Sequence, residues 1–92
     1  MVPIRQLLNR VRWDRDFGSA VFVLGYYDRM ADTIVRVELA AEDAVVVGGD
    51  GHEAIRLPGE DGLLHTVPLH RIREVFRDGL LIWQRPPAPG RP

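Results

Sequence analysis

The stretch Val67–Arg85, VPLHRIREVFRDGLLIWQR, carries the strongest fold signal in the sequence. Asp78-Gly79 within it is typical of a two-residue β-hairpin turn, because both central positions of the favoured turn need a positive φ that glycine adopts freely. Folding the stretch about this turn predicts five cross-strand pairs: Arg77 and Leu80, Phe76 and Leu81, Val75 and Ile82, Glu74 and Trp83, and Arg73 and Gln84. Both faces of the hairpin carry apolar groups, which indicates a strongly curled or barrel-like sheet.

A second feature, Pro68-Leu69-His70-Arg71, lies immediately before this hairpin. Proline cannot donate a hydrogen bond to a β-ladder, so Pro68 marks a sheet edge or a bend. The sequence therefore presents an imidazole and a guanidinium side by side where a strand breaks.

Further strands are predicted upstream of the hairpin. Ala20–Arg29 is apolar almost throughout, and Gly25 inside it indicates a bulge or a close backbone approach. Thr33–Leu39 alternates between the two faces of a strand. Shorter strands, separated by turns rich in glycine, are predicted at Ala44–Val47, His52–Leu57 and Leu63–Val67.

The N-terminus predicts a helix over Pro3–Arg12. Its apolar residues recur at helical spacing and form one stripe: Ile4, Leu7, Leu8 and Val11. The opposite side holds Arg5, Asn9 and Arg12, which we interpret as a solvated face. Trp13 at the helix exit is expected to be a lid over the sheet. The fold class is therefore α+β: an N-terminal helix packed on a small, strongly curled antiparallel β-sheet or partly open barrel of five or six strands.

Length and composition limit the other possibilities. The 92 residues suffice for one domain, expected over residues 1–85, with a flexible Pro-rich tail at residues 86–92. A net charge of -1 argues against gripping long nucleic acid by charge alone, although all 12 basic residues are Arg, which binds phosphate bidentately. The chain has no Cys, no signal-peptide core and no apolar run long enough to span a bilayer, so we expect a cytoplasmic protein without membrane contact.

Most catalytic and metal-binding chemistry finds no matching motif. His52, His65 and His70 lack the spacing of a metal site, and we expect neither a metal nor another cofactor. Ser19 is the only serine and does not lie in a nucleophile elbow. The run Gly48–Gly51 is not followed by a helical pattern, so it predicts a turn rather than a phosphate cradle.

One set of residues fits the recognition of a phosphate group. A terminal phosphate needs a forked guanidinium, a hydrogen-bond donor and an aromatic wall for the attached nucleoside. The candidate site residues that supply these groups are His70, Arg71, Arg29, Arg12, Trp13, Tyr27 and Asp28. A purely structural interpretation of these residues also stays open. In that interpretation Asp28 forms an ion pair with Arg71, and His70 is a strand-edge residue.

The same residues carry a family resemblance. Ile4–Asp14, Tyr27-Asp28-Arg29 and Val67–Arg73, followed by Asp78-Gly79 and Ile82-Trp83, resemble the RNA cyclic group end recognition domain family. The resemblance implies binding of RNA ends that carry a 2′,3′-cyclic phosphate, in RNA repair or processing, with His70, Arg71, Trp13 and Arg29 matching family positions. Many members have His where this chain has Asp28, which makes Asp28 an expected orienter of Arg29 or Arg71 rather than a phosphate ligand.

Three functions are therefore open. The first is a non-enzymatic module that binds an RNA terminus, alone or together with RNA-processing proteins, and does not bind DNA. The second is a cyclic phosphodiesterase in which His70 is the general acid or base and His65 assists. The third is a structural domain that binds a protein partner through a sheet edge or through Pro86–Pro92.

Overall fold

The computed structural model describes residues 2–59 and 61–86 of the chain. Two helices open it, α1 (Ile4–Trp13) and the single-turn α2 (Arg15–Gly18). Seven strands follow: β1 (Phe22–Asp28), β2 (Thr33–Leu39), β3 (Val46–Val47), β4 (Ala54–Pro58), β5 (Leu64–Pro68), β6 (Ile72–Arg77) and β7 (Leu80–Gln84). Single 3₁₀ turns, Ala41–Asp43 and Leu69–Arg71, precede β3 and β6. The predicted Pro-rich tail lies, beyond Pro86, outside the described residues.

The strands form two antiparallel sheets. One sheet has the order β2-β1-β6-β7 and the other the order β3-β4-β5. The α+β class with an N-terminal helix is thus confirmed, whereas the expected strand number was too low. The barrel is not confirmed, because within the described ranges neither sheet closes on itself. Pro68 supplies a physical reason: it ends β5 without a donor for further pairing, and the chain turns through Leu69–Arg71 into the other sheet.

Helix α1 lies one residue further along than predicted, and its apolar stripe is buried as expected. The Pro3 carbonyl oxygen accepts the first helical hydrogen bond from the Leu7 N–H at 3.1 Å. The helix ends at Trp13. The next residue, Asp14, has an extended backbone, and its side chain accepts a hydrogen bond from the Phe17 N–H at 3.1 Å. One carboxylate therefore caps α2 directly after α1 has ended.

The Asp78-Gly79 hairpin is confirmed, but its predicted register is correct for only two pairs. Both turn residues have positive φ, 50° and 80°. After Phe76↔Leu81 the register shifts, so that Val75 is paired with Trp83 instead of Ile82. This bulge brings Trp83 onto the buried face of the sheet beside Val75.

Gly25 in the central strand β1 confirms the predicted bulge, whereas the group that approaches it closely is a side chain and not another backbone. The β1–β6 register shifts between Gly25 and Tyr26, and the Glu74 side chain crosses directly over Gly25. A Cβ at residue 25 would lie 2.5 Å from Glu74 Cγ. Glu74 in turn binds the Arg36 guanidinium at 2.5 Å, so the missing side chain leaves room for an ion pair that spans three strands.

One apolar core joins α1 to both sheets. Its members come from every layer of the fold, and they include Leu8 from α1, Phe22 and Leu24 from β1, Ile55 and Leu57 from β4, and Ile72 and Val75 from β6. Within the described residues, no polar or charged side chain is buried. The chemistry of this protein is therefore expected at its surface and in its clefts.

Candidate functional site

Several of the predicted site residues meet at one end of the larger sheet. β1 and β7 end here, and β2 and β6 begin here. Tyr26 is paired with Ile72, so the preceding residue Arg71 reaches the sheet beside Tyr27. The residues that the fold brings to this end are Tyr27, Asp28, Arg29, His70 and Arg71.

A cavity of about 450 Å³ opens beside this end, between α1, the turn at Leu69–Arg71 and the end of β7. Its volume falls in the range of small-molecule sites. Its lining residues are Val2, Pro3, Ile4, Arg5, Gly51, Glu53, Leu69, His70, Trp83 and Arg85. This lining combines apolar and aromatic side chains with two guanidiniums, one carboxylate and the His70 imidazole.

Arg85 is the most firmly placed of these cations. Its Nη1 donates a hydrogen bond to the His70 carbonyl oxygen at 2.7 Å, and its guanidinium carbon lies 5.3 Å from the centre of the Trp83 ring. Partial burial and then the neighbouring Arg73 charge lower the pKa of Arg85. A bound anion would favour the charged form of Arg85 and so oppose the lowering of its pKa.

Arg5 approaches the same cavity from α1. It lies 3.7 Å from the Glu53 carboxylate, beyond hydrogen-bond distance, and its side chain is largely exposed. The Glu53 carbonyl oxygen also accepts a hydrogen bond from the Leu69 N–H at 3.0 Å, which holds the turn that carries His70. The cavity wall thus combines a fixed backbone with one loosely paired arginine.

Asp28 does not have the predicted partner. Its Oδ1 accepts hydrogen bonds from the N–H groups of Met30 and Ala31 at 2.9 and 3.4 Å, so it caps the turn between β1 and β2. Among the described residues Asp28 forms no ion pair with Arg71, and the expected role as orienter of an arginine is not seen. An Asp that accepts hydrogen bonds from the backbone N–H groups two and three residues ahead is a local turn motif, and this turn engages Asp28.

Tyr27 lies on the outer face of the larger sheet. Its hydroxyl donates a hydrogen bond to Asp32 Oδ1 at 2.5 Å, and the Arg73 guanidinium lies 5.6 Å from the ring centre. Arg73 is the bulged residue of β6, since the β1 register passes from Glu74 directly to Ile72. An arginine cation and an aromatic ring therefore lie close together at the edge of the predicted site.

Arg12 and Trp13 are not part of this group. They lie at the C-terminal end of α1, whose N-terminal end lines the cavity. Trp13 is 73% exposed and carries the Arg12 guanidinium 4.5 Å above its ring. The prediction of a lid over the sheet is wrong, because Trp13 lies about 180° around the helix from Ile4 and therefore faces away from the core. The buried tryptophan is Trp83 instead.

The rest of the described surface provides weaker candidates for a binding site. A second cavity of about 290 Å³ is lined by the carboxylates of Glu42 and Asp43 and by Arg56, an arrangement that does not favour an anion. Across residues 2–59 and 61–86, no group of three or more side chains is placed to hold a metal ion. None of the helices in these ranges has the length and apolarity needed to span a membrane.

Sequence reasoning missed Arg5, Glu53, Trp83 and Arg85 as site residues. For Arg85 a signal was present: counting back from Asp78-Gly79 brings the end of β7 beside the start of β6, next to His70. The Arg85 N–H indeed donates to the Arg73 carbonyl oxygen at 2.7 Å. For Arg5 no local signal exists, since an arginine on the polar face of a helix is typical of any solvated surface.

Comparison with known proteins assigns the family. Residues 1–85 match the model of the MJ1316 RNA cyclic group end recognition domain, and the chain belongs to this family. The match covers the whole described fold up to the end of β7. Neither the curated proteins nor the solved structures contain a match. The description of the family supports an RNA-end-binding role for the chain.

Proposed function

We propose that this chain binds RNA termini that carry a 2′,3′-cyclic phosphate, and that the cavity between α1 and the end of β7 receives the terminal nucleotide. The observation that carries the proposal is the Arg85 guanidinium, held between the His70 carbonyl oxygen and the Trp83 ring in a cavity of about 450 Å³. Cyclic phosphate ends arise when RNA strands are cleaved, so the activity fits RNA processing or repair.

The residues around the cavity have different roles in the proposed RNA binding. Arg85 offers forked N–H donors to the phosphate oxygens, and His70 adds a ring N–H. Leu69 and Trp83 give the ribose and base an apolar wall. Arg71 and Arg29 do not line the cavity but lie at the same end of the larger sheet, where their positive charges attract the RNA end.

The charge of the cavity supports preference for a cyclic end. A cyclic phosphodiester has one negative charge, whereas a terminal monophosphate approaches two near neutral pH. Glu53 contributes a carboxylate to the cavity wall, and its repulsion acts more strongly on the dianion. A 3′-hydroxyl end offers no charge to either arginine. The cyclic end therefore has the best match of charge among the three.

Binding of matched short RNAs tests the proposal. The RNAs end in 2′,3′-cyclic phosphate, 3′-phosphate or 3′-hydroxyl, and affinities are measured at one stated salt concentration for the wild type, Arg85→Ala, Arg71→Ala and His70→Ala. Arg56→Ala is the matched control, because this exposed arginine on β4 lies in the other cavity. We expect the cyclic end to bind best and Arg85→Ala to remove that preference, while Arg56→Ala retains it.

Two outcomes contradict the proposal. Equal affinity for the three RNA ends would show that the protein does not distinguish the chemical group at the 3′ terminus. Turnover of a cyclic-phosphate nucleotide above a His70→Ala control would identify a phosphodiesterase instead. His65 on β5, the expected assistant of such an enzyme, forms a hydrogen bond of 2.9 Å with Asp61 in the preceding turn.

A further inference from the structure

The exposed face of α1 leads from the cavity to Trp13. Its members Arg5, Asn9, Arg12 and Trp13 fall within a sector of roughly 100° around the helix axis, at 3.6 residues per turn. Arg5 lines the cavity and Trp13 ends the helix, about 12 Å further on at 1.5 Å per residue. We call this stripe the α1 path.

The α1 path has the chemistry of a single-strand binding surface. It carries two guanidiniums, one amide and one aromatic ring, and no carboxylate of α1 lies on it. Two carboxylates lie near its ends: Glu53 is 3.7 Å from Arg5, and Asp14 is 3.6 Å from Arg10. Its charge therefore complements a phosphate backbone.

Trp13 is the feature that a structural role leaves unexplained. An indole that is 73% exposed contributes little to the core, and the Arg12 guanidinium lies 4.5 Å above its ring. Bases stack on aromatic rings and on guanidinium planes, and this contact tolerates any sequence because every base has a π-face. The pair Arg12–Trp13 offers both surfaces.

We infer that single-stranded RNA leading to the bound end lies along the α1 path, with its 3′ terminus in the cavity and an upstream base stacked on Arg12–Trp13. This inference rests on the proposed function, because it extends the same site. At roughly 3.4 Å per stacked nucleotide, the 12 Å path spans about four nucleotides, or fewer if the strand is extended. Trp13 thus contacts a base upstream of the end and not the terminal phosphate.

Affinity as a function of RNA length tests the inference. Oligoadenylates of one, two, four and six nucleotides, each ending in 2′,3′-cyclic phosphate, are titrated against the wild type. We expect affinity to rise up to about four nucleotides and then to level off. In Trp13→Ala this rise should shrink by roughly 5- to 150-fold, the range measured for the loss of one base–aromatic stack, while mononucleotide affinity stays unchanged.

Matched variants complete the test. Trp13→Phe keeps a ring and should retain most of the rise, and Leu63→Ala, which trims a side chain exposed to 65% in the β4–β5 turn, should leave it intact. Arg12→Ala should lower the salt dependence of the longer RNAs by roughly 0.7 in the log–log slope. Thermal unfolding of each variant verifies that it is folded.

The outcomes separate the two proposals. A preference for cyclic ends with an affinity that does not depend on length, or a length dependence that Trp13→Ala leaves unchanged, would overturn the α1 path alone. The absence of any end preference, with the mononucleotide as well as the longer RNAs, would overturn the proposed function and the α1 path with it.

Discussion

Two tryptophans mark opposite ends of α1 and have opposite surroundings. Trp83 is 6% exposed, and its Nε1 donates a hydrogen bond to the Val2 carbonyl oxygen at 2.6 Å, which fastens the start of the helix to β7. Trp13, at the other end, is 73% exposed and contacts Arg12. Trp83 therefore stabilises the fold at the cavity, whereas Trp13, one helix length away, is accessible to a ligand.

The contrast also applies to the arginines at these two ends. At the exposed end, Arg10 and Arg77 lie 4.0 and 5.0 Å from the centre of the Phe17 ring, and they help to dock α2. At the cavity end, Arg85 is bound to a backbone carbonyl and Arg5 is only loosely paired. An aromatic ring with cations around it is thus not by itself evidence of a site. The arginines at the other end differ in that they line a cavity, and Arg5 among them is largely exposed.

The largest expected effect comes from Trp83→Ala. Removal of a buried aromatic side chain costs about 3–5 kcal/mol, a large share of the stability of a small domain. The start of α1 should detach, so binding of cyclic mononucleotide should be lost as well. Chemical denaturation measures the stability, and Trp83→Phe, which loses the hydrogen bond and part of the indole but keeps a ring in the core, should cost less than Trp83→Ala. Trp13→Ala is the paired control and should change stability by less than about 0.5 kcal/mol. A loss as large as that of Trp83→Ala would contradict the contrast.

Gly18→Ala should disturb the exposed end while the cavity stays intact. A Cβ at residue 18 would overlap the Val11 carbonyl oxygen, so α2 would have to move away from α1. We expect a loss of stability of about 1–3 kcal/mol, typical of overpacking. Mononucleotide binding by the folded protein should equal that of the wild type. A weakened mononucleotide complex would show that the two ends of α1 are coupled.

Arg5→Ala and Arg12→Ala test the two ends of the α1 path separately. Arg5 lines the cavity, so its loss should weaken RNAs of every length by about 5-fold, a modest effect because Glu53 already competes for this guanidinium. Arg12→Ala should weaken only RNAs long enough to reach Trp13. Identical length profiles for the two variants would remove the distinction. The same titrations on oligoadenylates provide the measurement.

The smallest effect is expected from pH. The hydrogen bond from the Phe17 N–H, together with the Arg10 charge, lowers the pKa of Asp14 below its usual 3.8. A group with a lowered pKa in the folded state stabilises the fold above its usual pKa, and this contribution is lost as pH falls through the lowered value. Asp14→Asn should therefore unfold at a lower temperature than the wild type at pH 7, and the gap should narrow below pH 3.8. A gap that is independent of pH would contradict this origin.

Local patterns predicted individual elements well. The bounds of Thr33–Leu39, the apolar stripe of α1, the turn at Asp78-Gly79 and the irregularity at Gly25 all follow from residue spacing and from the conformational needs of glycine. Register was predicted only near the turn. Beyond it the bulge at Ile82 depends on burying Trp83 against Val75, which is an energetic gain from the core and not from the hairpin.

Of the residues that line the cavity, only His70 was among the predicted site residues. His70, Arg71, Tyr27, Asp28 and Arg29 do meet at one end of the sheet. The roles expected of Asp28 and Trp13 were different from those observed, because a local turn engages Asp28 and the helix turns Trp13 outward. The site roles of all seven predicted residues stay predictions until binding is measured.

The sequence by itself determined the helix, most of the strands, the glycine turns and the family, because each of these depends on short-range spacing of residues. Only the tertiary structure decided which surfaces adjoin. The cavity exists because Trp83 binds the start of α1 and thereby brings Arg5 and Arg85, far apart in the chain, to one opening. The tertiary structure also places Trp13 and His70 at opposite ends of α1. Long-range packing sets such distances, and no local pattern encodes them.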